Sequence, residues 1–293
     1  MPLSASDAAD LFRADPHDLI DQSDGAIACR RVGDGPDVLF VHGWPVNGAT
    51  FRTLLPHLAP HVTCHVVDLL GAGSSRFDAS TDLSIDRHIE SVRSVVDWLG
   101  VDRLAVVGHD SGGMIARHAL AGDERLRAMG LINTEPSTGV GWRFKLFLMS
   151  RYVPGIGGAL GWVAGSPRLR RLRYVFGDAF ADPSLLDGEF DEFFLAPLHR
   201  DPELRRAAAR LLRSFRYEHI ERLEALHARI DVPVRLVWGE RDPFFPLERA
   251  RAMVPSFPSA ELTVVRNAGL FAHEERPAEV AESLLDVLAP SEG

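Results

Sequence analysis

Lysine is nearly absent from this chain: of its 32 basic residues only Lys145 is a lysine, and the rest are arginines. Schiff-base chemistry therefore has a single side-chain amine to draw on and is a poor expectation. Cysteine is almost as scarce. Cys29 and Cys64 are the only two, and they form no metal or redox spacing and no disulfide framework. No stretch approaches the roughly 20 consecutive apolar residues of a membrane span. Met1 to Asp18 carries several acids and no apolar run, so it does not read as a signal peptide. A cytoplasmic location is the expectation. There is no excess of positive charge either. The formal net charge of -9 gives nucleic-acid binding no electrostatic support. Neither nucleic acid nor membrane is expected as a partner. Internal repeats and low-complexity tracts are also lacking.

What is present is apolar patterning. The 293 residues are 46% hydrophobic, enough for one large core with room for an inserted subdomain. Short apolar runs occur at Val38–His42, Thr63–Asp68, Leu104–Val107, Ala128–Asn133, Val234–Trp238 and Leu262–Val265, several of them stopped by glycine. They lack strict alternation, as strands buried on both faces of a parallel sheet do. Between them, Ile85, Ile89, Val92, Val95, Val96 and Leu99 recur at helical spacing, and Ser111–Ala121 and Pro277–Leu288 read alike. Alternating strands and helices predict an α/β fold with a mostly parallel, doubly wound sheet.

One region breaks the rhythm. From about Ser137 to Ile230 the pattern is helical throughout and rich in arginine and aromatic residues. About 90 residues exceed what one crossover needs. The expected organisation is core over 1–136, an inserted helical cap over 137–230, and core again over 231–293.

In parallel sheets, reactive groups gather beyond the carboxyl ends of strands. The run Gly108-His109-Asp110-Ser111-Gly112-Gly113 follows a strand and opens a helix. Small residues two before and two after a central residue permit a sharp, strained turn that lifts the central side chain out, next to a helix N-terminus favouring negative charge. Centring on Asp110 puts Gly108 and Gly112 at the small positions, whereas centring on Ser111 would put His109 there. Asp110 is thus the expected nucleophile, and a plain helix-capping Asp is the simpler alternative. His42-Gly43-Trp44-Pro45 ends another strand and can present a backbone N–H to the elbow, forming an oxyanion hole with the N–H of Ser111. Asp242, in Gly239-Glu240-Arg241-Asp242-Pro243, ends a late strand, where an acid could orient a histidine arriving from the final loop.

At these positions the chain resembles the α/β-hydrolase superfamily over nearly its whole length. Gly-His-Asp-x-Gly and His-Gly-Trp-Pro are similar to its aspartate-nucleophile branch, the epoxide hydrolases and dehalogenases. The resemblance implies no metal or cofactor. In that branch the final loop usually reads Gly-His-Phe-x-x-x-Glu-x-Pro, and its His is the base. Here it reads Gly269-Leu270-Phe271-Ala272-His273-Glu274-Glu275-Arg276-Pro277, so Leu270 occupies the His position. An aspartate nucleophile forms an alkyl ester without the base, but hydrolysis of that ester needs one. Four accounts compete: His273 substitutes; His109 does; the ester is trapped by a natural or engineered leucine; or the chain is a natural divergent member using Asp110 as an acid/base or electrostatic anchor.

The resemblance also bears on the reaction. Haloalkane dehalogenases typically have Trp after the nucleophile and fluoroacetate dehalogenases Arg, whereas this chain has Ser111. Epoxide hydrolases need cap tyrosines as proton donors. All three tyrosines lie in the expected cap; Tyr217 ranks first and Tyr152 second. Glu135 is a reserve acid behind Asp242. The cap's aromatics point to an apolar small-molecule substrate. The leading expectation is an epoxide-hydrolase-like enzyme. The alternatives are a non-hydrolytic cyclase, isomerase or lyase of secondary metabolism, a dehalogenase, or a ligand-binding pseudoenzyme. Homodimer formation is left open.

Overall fold

The computed structural model describes residues 3–289. Its eight strands are β1 (Asp18–Gln22), β2 (Gly25–Val32), β3 (Asp37–Val41), β4 (Thr63–Asp68), β5 (Leu104–His109), β6 (Leu126–Ile132), β7 (Val234–Gly239) and β8 (Ala260–Val265). They form one sheet in the order β1-β2-β4-β3-β5-β6-β7-β8. The β1–β2 and β2–β4 pairs are antiparallel, and every other pair is parallel. This is the α/β-hydrolase fold.

The sheet separates two apolar layers. Residues of β5 alternate between them: Leu104 and Val106 pack with Val92, Val95 and Ile115 on one face, Ala105 and Val107 with Phe51, Leu54 and Leu284 on the other. Every residue of β5 is buried, which is why the run shows no polar alternation. Helices Ile85–Leu99 and Ser111–Leu120 cover one face, and Pro277–Leu288 covers the other.

Strand order dictates which loops meet. β3 lies beside β5, with Val41 opposite Gly108, so the loop after β3 meets the elbow after β5. The loop after β6 follows on the other side, since His109 pairs with Ile132. The loops after β7 and β8 come next, in register at Ile132/Val237 and Gly239/Val265. Five sequence-distant loops thus gather at one sheet edge, where the order switches direction.

Between β6 and β7 the regular structure is helical, including Trp142–Met149, Ile156–Ala164 and Pro202–Ser214. The stretch is not uniform: its last helix, Leu223–His227, packs on helix Ser111–Leu120 against the sheet face, with Arg117 Nη1 3.1 Å from His227 Nε2. Among the described residues no helix is long and apolar enough to cross a membrane.

The six apolar runs all become strands, and helices Ile85–Leu99 and Pro277–Leu288 begin and end where their periodicity does. Strands β1 and β2 were not expected. β1 is an edge strand, Asp-Leu-Ile-Asp-Gln, with a single buried residue, Ile20; β2 is built mostly from small and charged residues. Neither carries the continuous apolar signal of an interior strand.

Candidate active site

Asp110 sits at the tip of the turn between β5 and the helix Ser111–Leu120 with φ 51° and ψ -134°. A non-glycine residue in this region is strained and persists only where its surroundings fix it. They do so by close approach. A Cβ on Gly108 would lie 2.5 Å from Gly113 Cα, and one on Gly112 would lie 2.2 Å from the Val41 carbonyl oxygen. The two small positions read from the sequence are therefore steric requirements. The Asp110 N–H donates to the carbonyl of Asn133 at 3.0 Å, and the Thr134 hydroxyl lies 2.7 Å from the Asp110 carbonyl oxygen.

The Asp110 carboxylate is held from the β3 side. The Trp44 N–H donates to Oδ2 at 2.8 Å, and the Ser111 N–H also favours the ionised form. Gly43 makes this approach feasible, because a Cβ there would stand 2.4 Å from both Asp110 Cβ and Oδ2. His42 fixes the loop. Its Nε2 accepts from the Leu69 N–H at 2.9 Å, so Nδ1 carries the proton and donates to the Gly43 carbonyl at 2.9 Å. Burial keeps this imidazole neutral by lowering its pKa. The Trp44 indole is anchored across the cavity floor by its Nε1–H bond to the Ala208 carbonyl.

Burial, with the Glu135 charge added, pushes the Asp110 carboxyl well above the ordinary carboxylate range; the N–H groups of Trp44 and Ser111 pull the other way. Glu135 is itself buried and shifted upward, opposed by the Arg117 guanidinium. Its Oε2 lies 3.0 Å from the Thr134 hydroxyl, and its Oε1 has no partner among the described residues. Arg117 is wholly buried and donates to Thr134 Oγ1 and the Glu135 carbonyl.

Asp242 is buried and receives three donors: Asn133 Nδ2 at 2.7 Å, the Phe244 N–H at 2.8 Å and the Phe245 N–H at 3.0 Å. Desolvation outweighs these bonds and moves its pKa up to about 7. Asn133 orients it, because the Gly239 N–H occupies the Asn133 Oδ1 and leaves the amide NH₂ to face Asp242. Asn133 has φ 37° at the end of β6, a position the sequence reading passed over although Asn tolerates this conformation well.

Asp110, Trp44 and Leu270 all line one cavity of about 460 Å³ between the sheet edge and the helices that lie between β6 and β7. Phe144, Phe147, Leu160 and Phe271 make its walls apolar. Leu270 is pinned by its backbone: its N–H donates to the Ala179 carbonyl at 2.8 Å, and its carbonyl accepts from His109 Nε2 at 3.1 Å.

The two alternative histidines lie elsewhere. His273 is fully buried, bonds Thr50 Oγ1 at 2.8 Å and packs on the His109 ring with centroids 4.4 Å apart. Neither ring is among the cavity-lining residues. His109 turns away from the elbow tip because it follows Ala105 and Val107 onto the sheet face opposite Leu104 and Val106, and His273 packs against it there. Burial lowers the pKa of both, that of His109 to about 3.

The tyrosines are also rearranged. Tyr217 and Tyr152 border a separate surface hollow with Arg213 and Glu221, and neither lines the Asp110 cavity. Tyr174 does. It has φ 71°, lies 5.9 Å from the Trp142 ring, and carries the Arg143 guanidinium over its face at 5.3 Å. Arg143, buried and paired with Asp178, is the cationic side chain of the cavity wall. Sequence order could not rank the three tyrosines, because which one faces the cavity depends on how the cap folds back.

The model of the alpha/beta hydrolase family matches residues 38–283. The chain belongs to the α/β hydrolase family. It is 25% identical over 277 residues to an uncharacterized protein of Mycobacterium tuberculosis, covering 90% of this chain and 80% of that one. A pimeloyl-[acyl-carrier protein] methyl ester esterase of Xanthomonas campestris is 33% identical, but over 36% of this chain and 39% of its own. Among solved structures, an α/β hydrolase fold protein from Burkholderia ambifaria superimposes with a TM-score of 0.77 at 27% identity, covering 93% of this chain and 98% of that one. The epoxide hydrolase CorEH gives 0.76 at 20% identity, covering 94% and 99%. At that identity the likeness concerns the fold alone.

Proposed function

We propose that this hydrolase-family chain acts on an apolar, epoxide-like or alkyl-halide-like small molecule through Asp110, and that Leu270 stalls it after the first chemical step. The observation that carries this reading is the carboxylate geometry. Oδ2 is tied to the Trp44 N–H at 2.8 Å, which leaves Oδ1 as the attacking oxygen at the floor of an apolar cavity. Attack by Oδ1 on an epoxide carbon forms a C–O ester bond and breaks the ring C–O bond. The resulting alkoxide takes a proton from Tyr174, the tyrosine that lines the cavity. Hydrolysis of the ester would require a base where Leu270 stands. Asp242, oriented by Asn133, Phe244 and Phe245, is then the acid of a triad without its central member.

A second reading has one observation in its favour. The upward-shifted pKa of Asp110 suits a carboxylic acid that donates a proton, as a non-hydrolytic isomerase or cyclase would need. The two readings part on covalent chemistry. The protein is incubated with terminal epoxides and primary alkyl halides, and its intact mass is recorded. The nucleophile reading predicts one adduct per chain, mapped to Asp110, with little product release. Conversion of substrate without any adduct would favour the acid reading. Neither adduct nor conversion, in wild type or in Leu270→His, would sink both.

A further inference from the structure

The helix Trp142–Met149 turns large apolar side chains outward. Trp142 is 64% exposed, Leu146 51% and Met149 60%. Their spacing puts them on one face. This face continues into the molecule, because Leu146 and Met149 also line the Asp110 cavity, as do Val153 and Tyr174, which are about half exposed. The cavity mouth therefore opens through an apolar surface, an arrangement that marks an interaction site in a water-exposed protein.

Charge along the chain segment that includes this helix is one-sided. From Trp142 to Arg173 the chain has seven basic residues and no acidic one, in a protein whose formal net charge is -9. Arg143, Arg170 and Arg171 are paired with carboxylates from outside this stretch. Lys145, Arg151, Arg168 and Arg173 make no ion pair among the described residues.

We infer that this face of the cap is a docking surface for an anionic lipid bilayer. Exposed Trp, Leu and Met side chains beside Lys and Arg are what an interfacial helix presents to headgroups and the acyl boundary. The cations are attracted to anionic lipid, while the acidic remainder of the protein is repelled, so this face is the one turned to the surface. A second copy of the chain would fit poorly, because a two-fold contact here brings the same cation-rich patch of each copy against the other. Docked in this way, the cavity mouth opens toward the lipid, and an apolar substrate reaches Asp110 without crossing water. The lack of a membrane span bears on crossing a bilayer and leaves binding to its surface open. This inference does not depend on whether Asp110 forms an ester.

The test is co-sedimentation of the full chain with vesicles. One set is phosphatidylcholine alone, and the other contains about a third phosphatidylglycerol. The expected result is pelleting with the anionic vesicles, roughly tenfold weaker with the neutral ones, and release by salt. Leu146→Ser/Met149→Ser and, separately, Lys145→Glu/Arg168→Glu should each weaken binding about tenfold while circular dichroism shows an unchanged fold. These side chains are exposed, so folding should survive. The inference is overturned if the folded protein stays in the supernatant with anionic vesicles. It is equally overturned if neutral and anionic vesicles pellet it alike, if both double variants bind like wild type, or if the face is instead covered by self-association.

Discussion

Around Asp110 the close neighbours are glycines and backbone groups placed by three separate loops; around Leu270 the backbone is held as firmly, but the side chain has no polar chemistry. The first region is over-determined. Gly43, Gly108 and Gly112 each leave no room for a methyl group, and the strained φ of 51° is maintained by bonds to Asn133 and Thr134. On the nucleophile reading, the second region has the supports that a catalytic histidine would need, with a leucine in its place. Asp242 still has its three donors, and Leu270 still has backbone bonds on both sides. A buried carboxylate with no cation to face costs stability, so the three donors to Asp242 are what offset its burial. Both sides hold a desolvated carboxylate, Asp110 and Asp242, and the proposed covalent step uses only the first.

The comparison is most easily broken at Asp110. Asp110→Asn keeps the shape and the bond from the Trp44 N–H but removes the attacking oxygen, so adduct formation should fall by about 10³-fold or more. An undiminished adduct would place the chemistry elsewhere. Leu270→His attacks the same contrast from the other side. If Asp242 is preorganised, this one change should raise steady product release by at least about tenfold, measured as diol formed over many turnovers. Tyr174→Phe should slow epoxide opening by roughly tenfold to a hundredfold and leave alkyl-halide reaction nearly unchanged, since a halide needs no proton to leave. Tyr152→Phe and Tyr217→Phe should change neither rate by more than about twofold, because their hydroxyls lie outside the cavity.

Two smaller effects sharpen the physical picture. Gly43→Ala forces a methyl into the Asp110 side chain and should cost about 1–3 kcal/mol in chemical denaturation. The pH dependence follows from Asp242. Its folded pKa of about 7 lies above its ordinary value of 3.8, so between those values the folded chain keeps a proton that the unfolded chain has released. Stability from this group is therefore present at low pH and is lost as pH rises through about 7. Asp242→Asn should flatten that slope; the slope is the readout, since the amide also meets Asn133 donor to donor. Asp110 is shifted the same way, so the rate of adduct formation should rise with pH beyond the ordinary carboxylate range.

The interior of the fold was legible because strands β3 to β7 are almost wholly buried, and edge strand β8 still carries a short apolar run. β1 and β2 were not, because an edge hairpin owes its place to pairing with β4 and not to its own composition. At the site, Gly108 and Gly112 bracket Asp110 in the sequence and do so in space. Asn133, Arg117 and Arg143 were missed because their roles arise from contacts with residues far along the chain. His273, Tyr152 and Tyr217 have suitable side chains near suitable sequence positions, but the side a residue presents is set by tertiary packing. Three residues apart, Leu270 stands in the cavity wall and His273 lies behind it, bonded to Thr50.

The central claim is that an ester forms on Asp110 and stops there because Leu270 cannot activate water. A single-turnover reaction of Leu270→His with an epoxide in ¹⁸O-labelled water tests it directly. Water attack on the ester carbonyl would leave one ¹⁸O in the Asp110 carboxylate and none in the released diol, and the same treatment of wild type would leave an unlabelled, persistent adduct. Label in the diol with none in Asp110 would mean that water attacks the substrate itself, and the account would be wrong.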